Sequence, residues 1–372
     1  MLHLLLGTDW TANRDEVMKR IAADVAGRRG NRILMVPELI SHETERRLCA
    51  AAGDTSSRYA EVLSFTRLAR RVADSMGSAA EECLDNGGRV VAMAAAAKNL
   101  SSRLKAYAAV ETKPEFLTGL IDAVDEFKRC CISSGDLSRA AGETEGSLAQ
   151  KLEELSLLME SYDALCSRGK RDPRDQMTWL LEQMEQGDFA KEHVFYIDGF
   201  PDFTRQHLAI LEHLIQASPD VTVSLNCDRE SSHLLAFEKA GDTASQLLRC
   251  ARRAGVEVKI ETVPGKRLPL SPLREGLFQG VISRGAASGR LDVFRAESPY
   301  LECMGAAERI RFLLAAGCRC RGITVVCTDM TVYQPLVNLV FHRLHIPVYQ
   351  SANAYAHSCS LALGSLCLRY AR

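Results

Sequence analysis

With 372 residues, 47% of them hydrophobic and 25% charged, the chain is long enough for two or three globular domains, each with its own core. A net charge of −1 confines any nucleic-acid surface to a local patch, and no apolar run reaches the ~18 residues of a membrane span. The 13 cysteines are scattered, with no C-x-x-C pair, and an odd count argues against complete disulfide pairing; reduced thiols in a cytoplasmic protein are expected.

The first 78 residues alternate β and α. The run His3–Leu6 reads as a buried strand, Gly7 as a turn, and Val17, Ile21 and Val25 mark a helix continuing to Ala26. "RILMVP" reads as a second strand and "SHETERRLCAAAG" as a helix with Ser41 as its N-cap. "YAEVLSFTRLARRVADSMG" reads as a short extended piece leading into a helix closed by Gly77. Residues 79–187 are purely helical in pattern: "GGRVVAMAAAAKNLSSRLKAYAA", "FLTGLIDAVDEFKRCCISS" and "SLAQKLEELSLLMESYDALCSRG" each carry a 3.6-residue period, and Asp172-Pro173 opens one more helix. This looks like an all-helical insertion. Over 188–270 the α/β pattern returns with the strand "HVFYIDGF", a helix capped by Thr204, and the strand "VTVSLNCD". A linker rich in Pro, Gly and Ser covers 271–291. Residues 292–372, with "LDVFRA", "GITVVC" and "IPVY" as strands, read as the start of a second α/β domain with little sign of completion by Arg372.

Strand, glycine turn and helix at the start of the chain match the frame of a phosphate loop, G-x-x-x-x-G-K-[ST], whose glycines let backbone N–H groups close round phosphates. Counting from Gly7, Ala12 stands at the second Gly, Asn13 at the Lys and Arg14 at the Ser or Thr. The frame is present without its chemistry. In "FYIDGFPDFTRQHLAIL", Asp198 stands where nucleotide-hydrolysing motors place the Mg²⁺-binding Asp, but Gly199 replaces the water-activating Glu, and Asp202 lies past a Pro.

"YIDGFPDFTRQ" resembles the "VDEFQDTNxxQ" signature of UvrD-type superfamily 1 helicases. "ILMVPELISHE" and "VLSFTRLARRV" resemble that family's two early single-strand-contacting motifs. The chain most resembles the N-terminal, helicase-like part of the AddB subunit of the AddAB helicase–nuclease. The matching stretches are Val36-Pro37-Glu38, Ser64 to Leu68, and Ile197 to Gln206. That resemblance implies a P-loop NTPase-like parallel-sheet domain carrying a helical insertion, followed by part of a second helicase-like domain. It further implies double-strand break processing, a heterodimer with an AddA-type subunit, and contact with DNA ends and single-stranded DNA. The family's nuclease domain and iron–sulfur cysteines lie beyond this stretch, so no cofactor is expected here.

Asn13, Arg14, Gly199 and Thr328 together remove the phosphate clamp, the Mg²⁺ hydroxyl, the water activator and a phosphate-sensing cation. Gly7, Asn13, Arg14 and Asp198 are therefore expected to form a degenerate nucleotide site without ATP or Mg²⁺ turnover, with Trp10 filling the empty pocket. For DNA, single-strand grooves combine backbone-tracking cations with stacking aromatics. Phe65, Arg67, Arg70 and Arg71 supply both, with Phe65, Arg67 and Arg70 as candidate DNA contacts, and Phe65 and Arg67 are expected on one exposed face at the carboxyl edge of the sheet. Ser41 serves either as a strand contact or as an N-cap, and Leu39 stands where the family usually has Gln. Phe200 and Phe203 either stack on a base or belong to the core. The pairs His207/His213 and His342/His345 read as surface or core histidines rather than metal ligands. Two other functions remain open: an active nucleotide hydrolase with a divergent loop, and a scaffold for the motor subunit without DNA contact.

Overall fold

Residues on the first strand alternate between two apolar layers, and that alternation organises the sheet. In the computed structural model, which describes residues 1–77, 83–107, 113–232, 234–266, 270–271 and 291–349, the chain divides into two units, Met1–Ser283 and Arg284–Arg372. The first unit holds six strands: β1 (Leu2–Leu6), β2 (Arg32–Met35), β3 (Ala60–Leu63), β4 (Val194–Ile197), β5 (Val221–Leu225) and β6 (Val258–Thr262). Every pairing is parallel, in the order β3-β2-β4-β5-β1-β6. β1 and the "FYID" strand β4 thus share one parallel sheet, with β5 between them.

Leu2, Leu4, Leu6, Ile33, Met35, Phe195, Ile197 and Val223 point to one face. There they meet α3 (Phe65–Ser75), α8 (Gln176–Gln186), α10 (Arg205–Ala217) and α11 (Glu238–Ala254). Leu5, Leu34, Val36, Val62 and Tyr196 point to the other face, against α1 (Trp10–Ala26) and α2 (Ser41–Ala52). Strands covered on both faces read as unbroken apolar runs, which is why β1, β2 and β4 were conspicuous in the sequence. The edge strand β6 and helix α11 were not anticipated. β6 is mostly exposed, and its ladder to β1, Leu2 opposite Val258 through Leu6 opposite Thr262, fixes it.

Between α3 and β4 run α4 (Asn86–Asn99), α5 (Pro114–Arg129), α6 (Ser134–Gly142), α7 (Gly146–Cys166), α8 and the short α9 (Phe189–Glu192). α4 to α7 bury their own apolar cluster, including Met93, Leu120, Leu158 and Tyr162. The helix expected to run on through "LKAYAA" stops at Asn99. The buried carboxylate of Glu154 accepts the backbone N–H groups of Lys105, Ala106 and Tyr107 at 2.9, 2.9 and 3.1 Å, a local turn that competes with helix. Beneath these helices Asp172, fully buried, accepts from the Tyr162 hydroxyl at 2.7 Å and pairs with Arg89 at 3.2 Å and Lys128 at 3.6 Å.

In the second unit α12 (Pro299–Ala315) packs on α13 (Met330–Arg343) through Ala307, Ile310, Val337 and Phe341. The expected strands at 291–296, 323–327 and 346–349 form no ladder among the described residues. Val293 and Val326 are 89% and 87% exposed, as befits extended segments without a neighbouring strand. Among the described residues no helix is long and apolar enough to cross a membrane.

Candidate nucleotide site and nucleic-acid interface

In an all-parallel sheet the carboxyl ends of the strands share one edge, where open α/β folds place their ligands. Gly7 follows β1 there, Pro37 follows β2, Ser64 follows β3 and Asp198 follows β4.

The phosphate-loop frame is filled by the protein's own groups. Asp9, 3% exposed, caps α1: its carboxylate accepts the N–H groups of Thr11 at 3.0 Å and Ala12 at 3.3 Å, and the Thr11 hydroxyl at 2.6 Å. A third backbone donor arrives from beyond β6, Lys266 N–H at 2.9 Å. Burial by itself would raise the Asp9 pKa. Hydrogen bonds from the Thr11 hydroxyl and from the Lys266, Ala12 and Thr11 amides outweigh it and hold the carboxyl far below the usual range. First-turn amides that would meet a phosphate thus carry a resident anion.

Asn13 donates from Nδ2 to the carbonyls of Gly7 and Leu225, 3.0 Å each, tying the loop to β1 and β5. Its Oδ1 is packed so close that a Cβ on Gly7 would lie 2.1 Å from it, so glycine is required there by packing. Arg14 donates from Nε to Asp198 Oδ2 at 2.8 Å, both side chains less than a tenth exposed. The carboxylate expected at a Mg²⁺-binding position is therefore neutralised by Arg14, which stands where the loop pattern calls for Ser or Thr. Gly199 has φ +84°, and a Cβ there would meet Ile40 Cδ1 at 3.0 Å and Arg14 Nη2 at 3.4 Å. That geometry closes the water-activating position to a side chain. Trp10 does not fill the pocket. It is 52% exposed, with the Arg14 guanidinium 5.0 Å from its ring centroid, because Asn13 and Arg14 already occupy the interior. Thr328 lies in the second unit, exposed ahead of the Asp329 cap of α13.

At the adjoining end of the edge, the expected stacking aromatic is core. Phe65 opens α3 after the Ser64 cap but is 5% exposed. It stacks on the His207 ring at 4.0 Å and meets Phe200 edge-on at 5.5 Å and Phe203 at 6.5 Å. Four rings satisfying one another leave Phe65 no face for a base, and the half-buried Phe200 packs against the same cluster. Burial pushes the His207 imidazole down to about 4, so it is neutral at pH 7.

Ser41 is not the N-cap of α2. It is the first helical residue, buried, and its hydroxyl donates to Glu38 O at 2.9 Å across a 3₁₀ turn over Glu38–Ile40. Burial removes it from strand contact, while Leu39 on the same turn is 76% exposed. Arg67 donates to Glu45 Oε1 at 2.8 Å, with the two side chains 35% and 37% exposed. Arg71 pairs with Glu61 at 3.1 Å. Arg70 is exposed, with no carboxylate at ion-pair distance among the described residues. Of the five expected DNA contacts, Arg67 and Arg70 are thus the ones with accessible polar groups.

Sequence reasoning missed Asp9, Glu45 and Lys266. The signal for Asp9 was present, an Asp just before an amphipathic helix being the ordinary N-cap pattern. The other two pair across the fold and leave no local trace. Among the described residues no three His, Cys, Asp or Glu side chains form a metal-binding group.

The geometry meets its relatives here. The family model described as "ADDB, N-terminal" matches residues 4–271. Curated proteins named as B subunits of an ATP-dependent helicase/deoxyribonuclease are similar over most of the chain. That of Clostridium acetobutylicum is 25% identical over 336 residues, covering 86% of this chain and 29% of its own length. The Desulforudis audaxviator protein is 29% identical, covering 85% and 29%. That of Clostridium kluyveri is 26% identical over 352 residues, covering 90% and 30%. The chain spans about three tenths of the length of these relatives. With the family model covering well over half of it, the chain belongs to the AddB N-terminal family.

Proposed function

We propose that this chain is the helicase-like region of an AddB-type subunit of an ATP-dependent helicase/deoxyribonuclease, that it contacts single-stranded DNA during double-strand break processing, and that it does not hydrolyse ATP. Its helices α4 to α8 are read as an insertion in a P-loop-like domain, and 292–372 as the start of a second helicase-like domain. The partner is an AddA-type motor subunit, and the setting is the cytoplasm. The buried Arg14–Asp198 pair carries the loss of hydrolysis: it engages the carboxylate that would hold Mg²⁺, while Asp9 already occupies the first-turn amides of α1 that would hold a phosphate. Lost groups of this kind cost orders of magnitude in phosphoryl transfer. Calorimetry with Mg·ATP on the 372-residue chain is expected to give no binding heat at about 1 mM nucleotide, the upper end of ordinary substrate affinities. Tight binding, or a turnover abolished by Asp198→Ala, would overturn the reading.

A second reading, a scaffold for the motor subunit without DNA contact, is favoured by the burial of Phe65 and the engagement of Arg67 by Glu45. Salt-dependent binding of single-stranded DNA separates the two.

A further inference from the structure

The phosphate-loop frame seals its interior and leaves one large side chain outside. Trp10 opens α1 directly after the Asp9 cap and keeps 52% of its surface exposed. Its backbone stands on a fixed turn, because the Thr11 and Ala12 amides that follow are held by the buried Asp9 carboxylate at 3.0 and 3.3 Å. The ring is held as well. The Arg14 guanidinium lies 5.0 Å from the indole centroid and is itself fixed by the 2.8 Å bond from its Nε to Asp198, both charged side chains being buried. An indole backed in this way loses little rotamer freedom when a partner arrives.

Arg14 covers one face of the ring, and among the described residues no second ring or cation stacks on the other. A single open aromatic face at the ligand-bearing edge of a parallel sheet suits a flat partner. The surroundings extend that face toward the flank. A Cβ on Gly199 would lie 3.4 Å from Arg14 Nη2 and 3.0 Å from Ile40 Cδ1, so the support of the ring reaches the 3₁₀ turn Glu38–Ile40, whose Leu39 is 76% exposed. The Ser64 hydroxyl donates to Glu38 and ties that turn to the start of α3. Three residues on stands Arg67, about a third exposed. An open ring, an exposed leucine and a solvent-reached cation thus follow one another along the edge. Trp10 after β1 and Arg67 after β3 lie four inter-strand steps apart, about 19 Å at the usual spacing. Single-strand sites combine such parts, rings for the bases and cations for the backbone.

We propose that Trp10 is a stacking platform for one unpaired base of a single DNA strand that crosses the carboxyl edge toward Arg67. It rests on the DNA-contacting reading above and supplies the stacking aromatic that the burial of Phe65 removes. The direct test uses the chain in a Trp179→Phe background, where Trp10 is the only tryptophan. Its emission should be quenched on adding oligothymidylate, while thymidine monophosphate at the same nucleotide concentration should leave it unchanged. By fluorescence anisotropy with a labelled oligothymidylate, Trp10→Ala should bind about tenfold more weakly than the wild type, the loss of one base–aromatic stack. Its log–log salt slope should match the wild type, since no phosphate contact is removed. Trp10→Phe, which keeps a ring, should come within about threefold of the wild type.

Wild-type binding with equal affinity in Trp10→Ala would overturn the platform and leave the DNA-contacting reading standing. Absence of wild-type binding would overturn both. A weaker Trp10→Ala with a shallower slope would mean that the substitution acts through a charged contact, and would overturn the stacking assignment. Quenching by thymidine monophosphate alone would make this a nucleotide site and overturn the strand assignment. Should Trp10→Ala fail to fold, the Trp179→Phe chain decides: an unquenched Trp10 with the strand bound overturns the proposal.

Discussion

Two stretches of the same sheet edge treat charge in opposite ways. At the ends of β1 and β4 the buried charges are answered within the chain: Asp9 by amides and Arg14 by Asp198. Along α3 the cations are answered loosely or left outward, Arg67 by a half-exposed Glu45 and Arg70 by no carboxylate among the described residues. A buried ion pair or cap makes a poor ligand site, because binding would first have to break it. A solvent-facing cation can exchange water or a weak partner for a phosphate at small cost. The loop after β1 thus behaves as core, and the solvent-facing cations lie on the flank.

The sharpest way to break this comparison is to reopen the closed corner. Arg14→Ala leaves Asp198 buried and unpaired, and removing one partner of such a pair costs about 4 kcal/mol. Urea denaturation should show that loss, while Arg14→Met/Asp198→Leu, which removes both charges, should recover most of it. A loss below about 1 kcal/mol for Arg14→Ala, the range of exposed pairs, would mean that water reaches the pair and that the corner is not closed.

How far the closed corner extends toward α3 can be read from pH. His207 stacks on Phe65, and burial holds its imidazole down to about 4, against about 6.5 when unfolded. The folded state refuses a proton that the unfolded state accepts. The resulting stability is complete above about pH 6.5 and is lost as pH falls toward about 4, by roughly 3 kcal/mol at most. His207→Phe keeps a ring against Phe65 without titrating, so its urea midpoint should lack this fall between about pH 6.5 and about pH 4. An identical fall in both proteins would place the proton uptake elsewhere and leave the ring cluster open to water.

The sequence showed this fold where burial is two-sided and the corner where residues are missing. Leu2 to Leu6, Ile33 to Val36 and Phe195 to Ile197 are apolar runs because helices cover both faces, and Asn13 and Arg14 break a known loop pattern at sight. The fate of a side chain at an element's start was not legible. Phe65 follows a strand as a groove aromatic would, yet the rings that bury it, Phe200, Phe203 and His207, come from the far side of the helical stretch. Polar edge elements were equally silent, since β6 is held by its ladder to Leu2–Leu6 and not by any periodicity of its own.

The mildest test concerns Arg67, an open-flank cation that has a partner. Arg67 donates to Glu45 at 2.8 Å, and with both side chains about a third exposed the pair is worth a few tenths of a kcal/mol to about 1 kcal/mol. To hold a phosphate, Arg67 must exchange a carboxylate that already neutralises it, so its net gain from DNA is small. Glu45→Gln removes the competitor and keeps the side-chain shape. It should tighten oligothymidylate binding about two- to threefold at low salt, and Arg67→Ala should weaken it by a similar factor. Both effects should shrink as salt rises, because screening weakens the ion pair and the phosphate contact together. If Glu45→Gln leaves the affinity unchanged while Arg67→Ala lowers it, Glu45 is not a competitor and Arg67 meets the strand from another rotamer. If neither variant changes it, Arg67 belongs with the closed corner, and the open flank begins at Arg70.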